Sequence, residues 1–414
     1  MRKIGLTGWI MIAMVTGVVL GLLVHYNCTA SQIDSFSGGI SVFTDIFLRL
    51  IKMIIAPLVF STLVVGIAKL GDVKTVGRIG GKSLLWFMGA SLLSLALGLI
   101  IMNALQLGAD LNLPMPDATV KTGVDQAPLT FRGFITHVFP TSVFEAMSGN
   151  NILQIVVFAV FFGIATASIG EQGKTLIKAL DAASHVILRM TGYVMYFAPV
   201  GAMAAIASII ALKGPELLLS YGKFILSFYL SIVGLWLILL LIASLFVGRR
   251  IIQLAVSVKD MVLLAFSTAS SEAAFPRLMV ELENFGCPPK IVSFILPLGY
   301  SFNLDGSMLY MAFASLFIAQ AYGVPMTLGQ EVSLLLVLML TSKGIAGVPR
   351  AALVVVAGTL SMYNIPQQGL VLLLGIDQIL DMARSATNVL GNSIAAVVVS
   401  KWEGELREGV SEYR

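Results

Sequence analysis

A polar stripe inside an apolar segment near the C-terminus constrains the fold most. Residues 374–392 and the apolar runs that flank them form one hydrophobic segment, which holds five polar residues at spacings of 4, 3, 4 and 4: Asp377, Asp381, Arg384, Asn388 and Asn392. This spacing predicts that all five lie on one face of a helix. Ionisable groups in a helix of membrane length are costly unless they face a partner, a cavity or a substrate. Because Arg384 can neutralise only one of two carboxylates, a functional role is favoured over a purely structural ion pair.

The composition places this helix in a membrane protein. Of the 414 residues, 57% are hydrophobic and 12% are charged, whereas a soluble domain carries roughly 25% charged residues. The net charge of +4 is small and the basic residues lie in short loops, which excludes a nucleic-acid partner. Cys28 and Cys287 are far apart and the three histidines are scattered, so we expect no metal centre, disulfide framework or other cofactor.

The first half of the chain reads as simple membrane spans. Apolar runs of about 20 residues predict spans at about 6–25, 40–66, 82–105, 151–168, 186–212 and 221–247. The first run is longer than the roughly 7–15 apolar residues of a signal peptide, so it is interpreted as a retained helix. Basic residues recur in every second loop, which predicts cytoplasmic N- and C-termini.

Simple spanning fails after residue 250. Residues 261–283 consist of two short apolar pieces around the polar sequence STASSE, and neither piece is expected to cross a core of about 30 Å. Residues 291–321 are interrupted at 301–307, and residues 332–360 again form two short pieces around 342–350. Charges flank the first broken hairpin but not the second, which predicts opposite orientations. Inverted repeats with broken segments are typical of a transporter site at the membrane midplane.

Two polar clusters at these breaks are candidate sites. Ser270, Ser271 and Glu272 lie at the first tip, where they either cap a half-helix or, in the case of Glu272, bind a proton or ligand. Asn303 and Asp305 offer oxygens at a helix break, which favours a hard cation or a proton.

The arginine indicates the chemistry of the substrate. A guanidinium matches a carboxylate in bidentate geometry, so buried Arg384 favours an anionic substrate. Asp381, one turn earlier, could hold an ammonium group. An amino acid with an acidic side chain fits both residues.

The motifs together resemble those of the dicarboxylate/amino acid:cation symporter family. They are LIKMII at 50–55, SSE at 270–272, SFNLDGS at 301–307, TSKGIAGVP at 341–349, DMARSATN at 381–388 and SKWEGE at 400–405. The likeness covers nearly the whole chain and is strongest to the bacterial proton-coupled glutamate/aspartate symporters.

The resemblance implies a role for each matching residue. Arg384 would bind the side-chain carboxylate of the substrate and Asp381 its amino group, while Asn388 and Ser271 would hold the α-carboxylate. The full substrate-binding set is Ser270, Ser271, Ser307, Gly347, Val348, Asp381, Arg384, Ser385 and Asn388. The set for cation or proton coupling is Glu272, Gly299, Ser301, Asn303, Asp305, Asp377 and Asn392.

Departures from the family pattern favour protons over sodium. Sodium-coupled members have an aspartate at the position of Asn392, a methionine at Leu304 and a threonine at Ile345. A third sodium site uses a tyrosine and a threonine where this chain has Phe87 and Ala90. Losing so many oxygen ligands is hard to reconcile with tight sodium binding.

The expected fold is an all-α polytopic membrane protein with eight transmembrane helices and two oppositely oriented re-entrant helical hairpins, arranged as inverted repeats. The resemblance implies a homotrimer in the bacterial cytoplasmic membrane. Residues 1–66 and 151–212 would form its scaffold, and 82–105 and 221–402 a mobile transport domain. That domain would contain a hairpin at 254–284, a broken helix at 289–322, a hairpin at 329–360 and a substrate helix at 368–400, before a cytoplasmic tail at 403–414.

The expected function is import of L-glutamate or L-aspartate with protons by an elevator-type alternating-access mechanism, without enzymatic activity. Sodium-coupled import and proton-coupled C4-dicarboxylate import are the alternatives within the family. The presence of Asp381 argues against the second, since C4-dicarboxylate carriers lack an aspartate there. An intramembrane protease and an anion channel are alternatives outside it.

Overall fold

A computed structural model describes residues 6–70, 73–109, 138–149, 151–214, 221–342, 351–363, 365–366, 369–374 and 376–407. These residues are helical apart from their connections. The helices are α1 Leu6–Asn27, α2 Ala30–Leu70, α3 Val73–Leu105, α4 Val143–Ser148, α5 Ile152–Ser168, α6 Glu171–Met195, α7 Ala198–Lys213, α8 Gly222–Val247, α9 Arg250–Thr268, α10 Phe275–Phe285, α11 Pro289–Phe302, α12 Asp305–Ala321, α13 Leu328–Thr341, α14 Ala351–Leu360, α15 Leu370–Leu374 and α16 Asp377–Trp402.

Several of these helices are long and apolar enough to cross a membrane. By length and composition five spans qualify among the described residues, namely α1, α3, α8, α9 and the pair α11–α12, and a sixth arises if α6 and α7 count as one bent span. The expectation of an all-helical polytopic membrane protein is confirmed at this level. The predicted interruption of the span at 291–321 is also confirmed, because α11 ends at Phe302 and α12 begins at Asp305.

Two predicted segments differ from the structure. The span expected at 186–212 is not one helix, since α6 ends at Met195 and α7 continues from Ala198 at an angle of 50°. Pro199 explains the break: it has no N–H to donate, and its ring would collide with the carbonyl four residues earlier, that of Met195. The first arm of the first broken hairpin is also longer than expected, because α9 has 19 residues and can cross a membrane by length.

Helices α9 and α10 form an antiparallel pair, the first hairpin. The guanidinium of Arg250, at the start of α9, donates to the carbonyl of Phe285, at the end of α10, over 3.2 Å. Its carbon lies 5.1 Å from the Phe285 ring centroid. The chain reverses at Ala269, whose φ of +49° is left-handed, and a 3₁₀ turn at Glu272–Ala274 leads into α10.

Helices α13 and α14 form a second antiparallel pair, the second hairpin. The Ser333 hydroxyl, in the first turns of α13, lies 2.8 Å from the Tyr363 hydroxyl, which follows α14. The tip at 343–350 lies outside the described residues.

The two hairpins have their open ends at opposite ends of α3. Near the start of α3, the Lys82 ammonium donates to the Trp402 carbonyl over 2.8 Å. The segment after Trp402 reaches the open end of the first hairpin, where the Arg407 N–H donates to the Gly286 carbonyl over 3.1 Å. Near the end of α3, Asn103 donates to Glu331 of the second hairpin over 2.7 Å. Lys82 and Asn103 both lie on α3, and the 21 residues from one to the other separate these contacts by about 32 Å.

The helices pack in two groups. Helices α1, α2, α5, α6 and α7 pack mainly on one another, and α16 is surrounded by α8, α9, α11 and α12, with α3 packed along α12. Contacts between the groups run chiefly through α2 and α11.

Candidate binding site

Helix α16 carries the polar stripe as a single helix. It begins at Asp377, and every residue from 382 to 400 is buried. Arg384 is 2% exposed and Asn392 is fully buried. The prediction that the five polar residues share one helix is therefore confirmed, although the apolar run before them forms the separate short helix α15.

Arg384 pairs with both carboxylates of the stripe. Its Nη2 lies 2.8 Å from Asp381 Oδ1, and its Nε donates to the same oxygen over 3.0 Å. Nη2 also lies 3.2 Å from Asp377 Oδ1, which is close enough for an ion pair. One guanidinium thus faces two carboxylates, which gives this buried group a net charge of −1 when both acids are ionised.

One nitrogen of the same guanidinium is unpartnered within the described part of the chain. Arg384 Nη1 is buried and has no hydrogen-bond partner among the residues that the structure describes. The guanidinium carbon stacks 4.1 Å from the centroid of the Tyr310 ring, a cation–π contact that fixes the plane of the fork. An unpartnered donor on a fixed, buried fork is suited to an anionic oxygen.

Asn388 joins α16 to the first turn of α12. Its Oδ1 accepts the backbone N–H of Gly306 over 3.0 Å, and its Nδ2 donates to the Ser307 hydroxyl over 3.3 Å. A Cβ at Gly306 would lie 2.6 Å from the Arg384 carbonyl, so the helices can approach this closely only because this residue is glycine.

A second polar cluster lies at the break between α11 and α12. Asn303 Nδ2 donates to Asp305 Oδ2 and to Asn392 Oδ1, each over 3.2 Å. Gly391 packs directly on the Asp305 carboxylate, and Gly299 packs on the Asn392 amide.

Several buried atoms of this cluster have no hydrogen-bond partner within the described part of the chain: Ser301 Oγ, Asn303 Oδ1 and Asn392 Nδ2. Oxygen atoms left unpaired next to a carboxylate are ligands that a small cation or a proton carrier can use.

The first hairpin tip contacts the last turn of α11, just before this break. Ser270, Ser271 and Glu272 are half-buried, and the Tyr300 hydroxyl donates to the Ser271 carbonyl over 2.8 Å. No hydrogen bond between described residues joins the Ser270 or Ser271 hydroxyl to Arg384 or Asn388.

Of the remaining predicted substrate-binding residues, the structure describes some and not others. Ser385 is buried beside Arg384. Gly347 and Val348 lie outside the described residues. Ser342, the last described residue before the second tip, has its hydroxyl 3.7 Å from Met308 Sδ, so the second hairpin also approaches the start of α12.

Tyr310 is the site residue that sequence reasoning missed. A tyrosine in an apolar helix resembles ordinary core, and the available signal was weak: Tyr310 follows Ser307 by three residues and so lies on the same helix face. Only its contact with Arg384, which the sequence does not show, indicates that Tyr310 belongs to the site.

Comparison with known proteins places this site in context. Residues 6–402 match the model of the sodium:dicarboxylate symporter family. A proton/sodium-glutamate symport protein of Bacillus caldotenax is 42% identical over 99% of this chain and 97% of its own length. A C4-dicarboxylate transport protein of Laribacter hongkongensis is 40% identical, over 96% of this chain and 89% of that protein. A proton/glutamate-aspartate symporter of Bacillus subtilis is 37% identical, over 96% of this chain and 95% of that protein.

Proposed function

The chain belongs to the sodium:dicarboxylate symporter family, and from this premise we propose that it imports L-glutamate and L-aspartate together with protons. Members of this family are transporters, so the chain is a transporter and not an enzyme. The intramembrane-protease alternative is thereby excluded.

The observation that carries the proposal is buried Arg384 between two carboxylates. Its unpartnered Nη1 is oriented by Tyr310 and can receive the side-chain carboxylate of the substrate. The Asp381 side chain is 37% exposed, against 6% for Asp377, so Asp381 is the carboxylate that an incoming ammonium can reach. A C4-dicarboxylate has no ammonium to offer it, which favours an amino acid over the substrate named for the Laribacter protein.

Charge balance explains why a cation must travel with the substrate. The group of Arg384, Asp377 and Asp381 carries −1 when ionised, and glutamate carries another −1. Two uncompensated negative charges in a buried site are costly. Each proton bound to one of the buried acids removes one of these charges and so lowers the cost. The candidate carriers are Glu272, Asp305, Asp377 and Asp381.

Protons are favoured over sodium by the amide at Asn392. With an asparagine there, the cluster at the helix break has Asp305 as its carboxylate and amides from Asn303 and Asn392. Sodium coupling is the second candidate, and the buried Ser301 Oγ and Asn303 Oδ1 beside this carboxylate support it.

The proposed architecture has eight transmembrane helices and two re-entrant hairpins, assembled as a homotrimer. The opposed open ends of the two hairpins support the inverted repeat. The two packing groups support a scaffold at 1–66 and 151–212 against a transport domain at 82–105 and 221–402 that moves as an elevator. The basic end of α3, with Arg78 and Lys82, would face the cytoplasm of a bacterium.

The test is uptake of labelled L-aspartate into proteoliposomes under an imposed pH gradient in sodium-free buffer. We expect accumulation that a protonophore abolishes and that protein-free liposomes lack. Strict dependence on sodium would instead establish the second candidate. Labelled succinate under the same conditions separates amino-acid from C4-dicarboxylate transport, and linear, unsaturable flux would indicate a channel.

A further inference from the structure

An apolar groove lies on the outer surface of α3, α8 and the end of α16, away from the candidate binding site. We call it the aromatic groove; its lining includes Leu85, Trp86, Gly89, Ile242, Phe246 and Trp402. Its volume of 340 Å³ is within the range of sites that hold small molecules, about 300–1,000 Å³.

The groove opens to the outside of the helix bundle. Leu85 is 69% exposed and Phe246 is 39% exposed at its edge. Helices α3 and α8 both qualify as membrane spans, so in a membrane the groove opens to the acyl chains of the lipids.

Three aromatic rings close one end of the groove. The Trp402 ring centroid lies 5.9 Å from that of Trp86 and 5.3 Å from that of Phe246, and these contacts are edge-on. Tryptophan is enriched at the boundary between the hydrocarbon and the headgroups. This end of the groove is therefore where a lipid would pass from chain to headgroup.

The same end carries an excess of positive charge. Lys82 lies 2.7 Å and Arg78 lies 2.8 Å from Glu403, so two cations share one carboxylate. Arg249 follows Phe246 by three residues, is exposed, and makes no ion pair with any residue that the structure describes. An apolar groove that ends in an excess of cations complements a molecule with an acyl chain and an anionic head.

We propose that the aromatic groove binds an acyl chain of an anionic phospholipid, with its phosphate at Arg78, Lys82 and Arg249. The bound lipid braces α3 and α8 against the end of α16, the helix that carries Arg384. The proposal requires that the chain lies in a membrane and is independent of the transported substrate and of the coupled cation.

The test is quenching of tryptophan fluorescence in the purified full chain by phosphatidylglycerol with a brominated acyl chain. Two of the four tryptophans line the groove. In nanodiscs of phosphatidylcholine, we expect saturable quenching at a lower mole fraction of brominated phosphatidylglycerol than of brominated phosphatidylcholine. Identical curves for the two lipids would overturn the anionic site.

Gly89→Leu tests the position of the acyl chain. An added Cβ at Gly89 meets nothing within 4 Å, so a leucine there has room at its Cβ and occupies part of the groove that Gly89 lines. We expect it to abolish the saturable component. The matched control is Gly234→Leu on α8, where an added Cβ is equally free, and it should quench like wild type. Unchanged quenching in Gly89→Leu would show that the lipid binds elsewhere.

Arg249→Gln tests the headgroup independently, including the case in which Gly89→Leu fails to fold. One basic residue near an anionic surface contributes about 1 kcal/mol, so the preference for phosphatidylglycerol should fall about fivefold. Maximal quenching should remain, because the acyl contacts are intact. An unchanged preference would contradict the assignment of Arg249.

Discussion

Replacing Arg384 with alanine removes the guanidinium that both Asp377 and Asp381 contact. We expect the variant to lose its affinity for L-glutamate and L-aspartate, because the proposed contact to the side-chain carboxylate disappears. It also leaves two acids without their cation in a buried site, which repel an anionic substrate. Both effects lower the affinity for the substrate.

The magnitude follows from the burial of the site. Arg384 is 2% exposed, so water screens its charge little. Removing one partner of a buried, hydrogen-bonded charge pair costs about 2–5 kcal/mol, and each 1.4 kcal/mol is a factor of ten. The Kd for L-glutamate should therefore rise by at least about 30-fold. Arg384→Lys keeps the charge but not the planar fork, so its Kd for L-glutamate should lie between those of the wild type and Arg384→Ala.

The assay is isothermal titration calorimetry on the purified protein with L-glutamate and, in parallel, L-glutamine, which lacks the side-chain carboxylate. Wild type should prefer glutamate strongly, and Arg384→Ala should lose that preference. Asp377→Asn/Arg384→Ala serves as a control, because it restores the charge of the site without restoring the fork. If a folded Arg384→Ala variant still prefers glutamate over glutamine, the assignment of the side-chain carboxylate to Arg384 is refuted.

Three further predictions concern the helix break, the charged end of α16 and the first hairpin tip. Gly391→Ala places a methyl group on the Asp305 carboxylate, and such overpacking costs about 1–3 kcal/mol of folding stability. The midpoint of thermal unfolding should therefore fall, and uptake should fall too because the Asp305 carboxylate is displaced. Gly81→Ala, with nothing within 4 Å of its Cβ, should change neither. Burial raises the pKa of Glu403, but hydrogen bonds and charges from two basic residues of α3 outweigh it and hold the pKa below its usual range. This group therefore stabilises the fold above the usual glutamate pKa of about 4.3 and ceases to do so as pH falls through its lower folded-state value, so the midpoint of thermal unfolding should fall on acidification more steeply in wild type than in Glu403→Gln. Glu272→Gln should reduce pH-driven uptake more than substrate binding, and equal losses of both would contradict a proton role for Glu272.

Local patterns in the sequence were sufficient to predict where many of the helices lie along the chain. The spacing from Asp377 to Asn392 predicted one polar helix face, since a helix returns to the same side every 3.6 residues. The interruption at Asn303 and Leu304 was predicted from polar residues inside an apolar run. The bend after Met195 was not predicted, although Pro199 is a local signal for it.

Contacts between distant segments were not predictable from such patterns. The stacking of Arg384 on Tyr310 depends on how α12 lies against α16, and so does the bond from the Gly306 N–H to Asn388. The segment at 403–414 was expected to be a cytoplasmic tail, and no local pattern indicated the contacts that its first residues make: the Arg407 N–H donates to the Gly286 carbonyl and Glu403 is paired with Arg78.

The sequence by itself determined that the chain lies in a membrane, that the apolar run at 291–321 is interrupted, and that one helix carries a buried arginine with two acids. These are properties of composition and of local spacing. The tertiary structure decided which groups meet: Asn303 with Asn392, 89 positions apart, and Arg384 with Tyr310. Packing between helices decides such pairs, because the distance between two helices depends on residues such as Gly306 that carry no polar signal of their own.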